Sequence, residues 1–213
     1  MKPTPPLIRV QGHGSVSSAP DTIVLGLELE SEHKEYDKAM EDAAERLELL
    51  RKALPKAGLD TEQLKTESFG VHVTEDYNQG RRTFRGYSVK HHLSLELPFG
   101  RKELGRVLTA VTGCKARASL VLSFTVSDPE AVKRRVLEAA VHNARDRAEV
   151  IASASGQKLG SIQAIEYGHT EIIVRSQPMA FSTALASPAR EMDFNPAEID
   201  SEDTVLMTWE LTR

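Results

Sequence analysis

Between Asp128 and Gly156 the chain leaves little freedom to its fold. Ala140, Ala144, Ala148 and Ala152 recur at every fourth position, which lines up four small side chains along one side of a helix. Such a row lets the helix axis lie close against a sheet or a second helix. Val136, Val141, Val150 and Ile151 flank it. Asp128 can cap the free N–H groups of the first turn, and Pro129 fits a position whose missing N–H is no loss. Gly156 ends the helix. A strand, Ser119–Val126, runs into this segment and another, Leu159–Ile165, leaves it. The four alanines are candidate close-packing or interface residues. They pack either on this chain's own elements or on another copy.

Upstream, Leu7–Gln11 reads as a short strand, followed by Gly12–Asp21, GHGSVSSAPD, whose Gly, Ser and Pro content predicts a turn. Thr22–Glu30 alternates, with Ile23, Leu25, Leu27 and Leu29 on one face, the period of a half-buried strand. From Lys34 the period becomes helical through Ala39, Ala43, Leu47, Leu50 and Leu54; Pro55 ends or kinks that helix and Gly58 is a late stop. Leu64–Glu75 and Thr83–Leu97 alternate as two strands around a loop, Asp76–Gly80. Glu103–Thr112 is a short helix closed by Gly113. Beyond the long helix, Leu159–Ile165 and Glu171–Arg175 read as strands separated by Gly168. Residues 176–200 carry three prolines and no period, the pattern of a long loop. Thr204–Leu211 is a closing strand containing Trp209, the one tryptophan.

Strand, helix, two strands, helix and strand over 22–126 is the split βαβ order. The expected class is α+β. It has a mainly antiparallel sheet with helices on one face, a ferredoxin-like βαββαβ core, then a long helix and C-terminal strands. One domain spans 1–213, with 22–126 the βαββαβ portion and 127–213 the long helix, strands and the 176–200 loop.

The residues argue against several function classes. The net charge is −4, and the basic runs Arg81-Arg82 and Lys133-Arg134-Arg135 are short, so nucleic acid is not an expected partner. No apolar stretch is long enough to span a bilayer. Gly12-His13-Gly14 lacks the third glycine and following helix of a dinucleotide site. No GK[ST] or GxSxG occurs. The seven histidines include no HExxH pair. His91 and His92 are neighbours on a strand and point to opposite faces, whereas His72 and His91 could meet if their strands pair. A single cysteine, Cys114, excludes an intramolecular disulfide and a zinc knuckle. It follows a glycine at a helix C-terminus, the wrong pole of the dipole for a reactive thiolate. The mixed charges of the first helix form a solvated face. No catalytic residue, cofactor or metal ligand is expected. MKPTPPLIRVQG has no apolar core of a secretory signal, which predicts a cytoplasmic protein as given and a periplasmic or exported one if the N-terminus is trimmed.

Taken together, these segments resemble the SIMPL-domain family, which includes periplasmic immunogenic proteins of bacteria. The similarity rests on Ile8-Arg9-Val10-Gln11-Gly12 with Gly14, Pro20-Asp21, Gly58-Leu59 and Gly86-Tyr87. It is greatest at Phe124, Ser127-Asp128-Pro129, Ala140, Asn143-Ala144-Arg145, Arg147-Ala148-Glu149, Ala152, Gly156 and Leu159-Gly160, and it extends to Trp209-Glu210-Leu211. The resemblance implies an α+β fold, homo-oligomers that include ring-like forms, and no enzymatic activity. It also implies a link to oxidative-stress defence for some bacterial members and to kinase signalling for an animal one. Two other readings stand beside it. One is a small-ligand or metal-binding protein with a pocket near the 176–200 loop. The other is a hydrolase, which would need a cleft holding a perturbed carboxylate or histidine.

Overall fold

The computed structural model describes residues 5–78, 81–168, 171–181 and 194–213. The elements in chain order are β1 (Leu7–Ser18), β2 (Thr22–His33), α1 (Tyr36–Ala53), β3 (Leu64–Asn78), β4 (Arg81–Pro98), α2 (Arg101–Gly113), β5 (Ser119–Thr125), α3 (Pro129–Ala154), β6 (Lys158–Glu166), β7 (Met179–Phe181) and β8 (Ile199–Thr212). The fold is α+β and its strand pairs are antiparallel. The chain divides into two compact units, residues 21–125 with 176–196, and residues 1–20, 126–175 and 197–213.

In the first unit the sheet order is β3-β4-β2-β5-β7. Its first four members carry the split βαβ connectivity, each crossover helix skipping one strand. Ile23, Leu25, Leu27 and Leu29 of β2 point into a core closed by Leu50, Leu54, Leu104, Val107, Leu108 and Val111 from the helical segments. The apolar phase of each strand therefore meets the apolar stripes of α1 and α2 on one face. Pro55 falls in a 3₁₀ turn after α1, and Gly58 closes it with φ +82°, a left-handed conformation that glycine adopts without strain. β3 and β4 are longer than their sequence pattern suggests. They pair from Leu64↔Leu95 to Asn78↔Arg81, so most of the expected 76–80 loop is ladder. β2 pairs with β4 only as far as His33↔Tyr87. Beyond that point β3 and β4 continue as a two-stranded ribbon.

In the second unit the sheet order is β1-β8-β6. Here the predicted 12–21 turn is corrected. β1 runs unbroken to Ser18 and pairs residue by residue with β8, from Leu7↔Glu210 to Ser18↔Ile199. Ile8, Val10, Gly12 and Gly14 are buried in alternation. A Cβ on Gly12 would collide with Ala140 O and lie 2.6 Å from Ala144 Cβ, and one on Gly14 would collide with Val136 O. These glycines are flat places in a strand on which a helix backbone rests, not turn residues. α3 starts as its sequence predicts. Asp128 accepts a hydrogen bond from Ala131 N at 2.9 Å, a cap that contributes about 1 kcal/mol.

Two further expectations change. Glu171–Arg175 is not a strand. Ile172 and Val174 are buried beside Val126, Val132 and Val136, so their apolarity serves packing and Arg175 alone makes a bridge. The 176–200 loop is strand at both ends, with Met179–Phe181 paired to β5 and Ile199 opening β8. Its middle, 182–193, lies outside the described residues. Among the described residues no helix is long and apolar enough to cross a membrane.

Candidate functional site

Ala140, Ala144 and Ala148 are completely buried and Ala152 nearly so. Ala140, Ala144 and Ala148 pack with Ile8, Val10, Val205, Met207 and Trp209 of this chain's own sheet. Their surface is already covered and is not available to another copy. The same helix also caps the outer edge of β1: His13 N donates to Asn143 Oδ1 at 3.0 Å, and Arg147 Nη1 donates to Gln11 O at 3.3 Å. An open depression on α3 is lined by Asp146, Arg147, Val150 and Ile151. All four come from one helix, so no second element brings a reacting group toward them.

The histidines do not converge. His72 pairs with Ser88, whereas His91 pairs with Phe69, which puts the two imidazoles on opposite faces of the sheet. His91 is buried, lies 3.0 Å from Thr66 Oγ1, and meets the Phe69 ring edge to face at 5.2 Å. Burial, with a smaller contribution from the positive charges of Arg51 and His92, holds its imidazole below the ordinary value. His92 Nδ1 lies 4.0 Å from Glu28, and His13 lies 3.9 Å from Glu202. His33 accepts from Glu35 N. His169 lies outside the described residues. The half-buried Cys114 thiol donates to Val111 O at 3.1 Å. Among the described residues no group of three or more His, Cys, Asp or Glu is placed to hold a metal ion.

The buried face of β8 also holds a carboxylate. Asp203 is 6% exposed and accepts from Tyr167 Oη at 2.8 Å and from Thr204 N at 2.7 Å. The hydrogen bond to Asp203 holds the Tyr167 hydroxyl above the usual phenol range. Asp203 shares the buried phase of Val205, Met207 and Trp209. Extending that alternation two residues upstream would have found it. With Tyr167 and Thr204 N as partners, it locks a strand.

What stands out in the first unit is an uncovered apolar strip on β3 and β4. Phe69, Val73, Tyr77 and Phe84 are each about half exposed or more, as is Tyr36 at the start of α1. Phe84 and Tyr36 each meet the Tyr87 ring edge to face, at 5.4 and 5.6 Å. The strip lies on the side of the sheet that α1 covers further along, where Ala39 and Ala43 bury Val89. Along β3, every residue from Lys65 to Tyr77 is exposed or only half-buried. β3 is also the edge of its sheet. Among the described residues four strands lie at sheet edges. The edge of β1 is capped by α3, β7 is described over three residues, and β6, which also exposes Ile162 and Ile165, carries two register shifts within nine residues. β3 offers 15 residues, no proline, and irregularities only at Thr66/Ser68 and Thr74/Glu75. A long edge strand with apolar side chains is a template for pairing.

Comparison with known proteins places the chain. The SIMPL family, a protein of unknown function (DUF541), matches residues 8–209. The chain belongs to the SIMPL family. The protein is 24% identical to the uncharacterized protein YggE of Escherichia coli strain K12 over 213 residues, covering 98% of this chain and 85% of that one. It is 27% identical to the 26 kDa periplasmic immunogenic protein of Brucella melitensis over 170 residues, covering 76% of this chain and 66% of that one. YggE of Edwardsiella ictaluri is 22% identical over 169 residues, with 78% and 69% covered. The segments that suggested the family from sequence include the α3 seam with Gly12 and Gly14 and the two residues that cap β1.

Proposed function

We propose that this SIMPL-family chain is a non-enzymatic protein whose work is done by self-assembly. The observation that carries the reading is the β3 edge, the longest edge strand among the described residues, which bears an aromatic strip. Apolar side chains left in water at a strand edge are stabilised when a second surface covers them. The polar groups that could suggest chemistry are instead tied into structure: His91 to Thr66 and Phe69, Asp203 to Tyr167 and Thr204, Cys114 to Val111. The compartment we favour is the periplasm, as in the name of the Brucella relative. The link to oxidative-stress defence rests on the family resemblance alone.

Light scattering on the purified chain at tens of micromolar tests the reading. We expect a defined mass that is a multiple of 23.5 kDa. A mass that stays at one chain across that range overturns it.

A further inference from the structure

We infer that two copies pair through antiparallel β3 strands about a two-fold axis at Val71, joining their sheets. This rests on the self-assembly reading and specifies the surface and register.

The register follows from which residues share a face. On the strip side β3 carries Leu64 and Thr66, then, across the shift after Thr66, Phe69, Val71, Val73, Glu75 and Tyr77: the first five pair with Leu95, Leu93, His91, Val89 and Tyr87, which alternate on that side of β4, and Glu75 and Tyr77 continue the phase opposite Phe84 and Arg82. On the other side lie Lys65, Ser68, Gly70, His72, Thr74 and Asp76. Directly opposed residues in an antiparallel pair point to the same face, and a two-fold axis normal to the sheet preserves faces. With the axis at Val71, Phe69 faces Val73 of the second copy and Leu64 faces its Tyr77. Allowing for the extra residue Glu67, Lys65 faces Asp76 of the second copy. Symmetry makes each of these contacts twice. Sliding the axis to Gly70 puts Lys65 opposite Thr74. Sliding it to His72 puts Phe69 opposite Glu75. The Val71 register matches opposite charges at both ends, packs Phe69 on Val73 and sets Glu75 opposite the Thr66 hydroxyl, and cross-strand pairs of these kinds stabilise a sheet.

Within the joined sheet, Phe69, Val73 and Tyr77, each about half exposed or more, gain same-face neighbours from the second copy's β3.

Cross-linking separates this pairing from others. In a Cys114→Ser background, Lys65→Cys and Asp76→Cys chains are made separately. Mixed and mildly oxidised, they are expected to give a covalent dimer that neither chain gives alone. Lys65→Asp should weaken association by about tenfold, since two attractive pairs become repulsive. Adding Asp76→Lys to it should restore association, and circular dichroism of the charge variants confirms folding. If the unaltered chain associates but the mixed cysteine chains do not cross-link, the β3 register is overturned and self-assembly stands. If the unaltered chain keeps the mass of one copy, both readings fall.

Discussion

Burial sets the behaviour of His91 more than any neighbouring charge does. The residue is 8% exposed, and Arg51 and His92 add to the cost of protonating its imidazole. Its folded pKa therefore lies below 6.5, the ordinary value it regains on unfolding. Between these two values the unfolded chain binds more protons, so stability is fully present above 6.5 and declines as pH falls toward the folded value. We expect the urea midpoint to drop between about pH 7.5 and 5.5, and His91→Gln to flatten that decline. If wild type and His91→Gln lose the same amount over that range, His91 is not the group responsible. Asp203 shows the opposite strategy, a carboxylate kept in a covered face by two donors.

Where β1 meets α3, the fit is between two elements rather than two residues. Alanines on the helix and glycines on the strand remove side chains from both sides of the contact, so backbone rests near backbone. Gly12→Ala should cost about 3 kcal/mol, since overpacking here presses on helix backbone rather than on a side chain that can turn away. Urea unfolding measures it, and a loss under about 0.5 kcal/mol would mean the seam opens freely. The same seam shows what was legible in the sequence. α3 was readable because its cap, its period and its glycine stop are local signals. The far half of β1 was not, because Gly and Ser report turn chemistry locally while their role here is set by a helix more than a hundred residues away. Yet Ile8, Val10, Gly12, Gly14 and Val16 do keep period two. Glu171–Arg175 erred the other way, its apolar residues filling a core without a ladder. The β3 edge was half legible. Its alternation was readable, but the polar run from Asp76 to Arg82 hid how far the ribbon extends, and no local signal says that a strand will be last in its sheet.

At the scale of the whole molecule, the two units differ in how far apart their partners lie along the chain. In the β2–β4–β5 sheet the pairs join residues within about a hundred positions, from Thr22↔Thr125 inward. In the other sheet β1 joins β8 across most of the chain, as in Leu7↔Glu210. Closing the larger loop costs more entropy before any contact rewards it. Pulsed hydrogen exchange during refolding should show amides of β2, β4 and β5 protected before those of β1 and β8. Simultaneous protection of both sheets would argue for one cooperative step.

β8 pairs with β1 on one side and β6 on the other, so the middle strand of its sheet is made after both of its neighbours. While the chain is being synthesised, β1 emerges before β2 to β7 and has no ladder partner until β8 follows them. During that interval its apolar alternation is exposed. Its glycines, needed later for the helix seam, also make it a poor strand former on its own. A β1 richer in valine or isoleucine would be a stronger template for strand pairing over that interval.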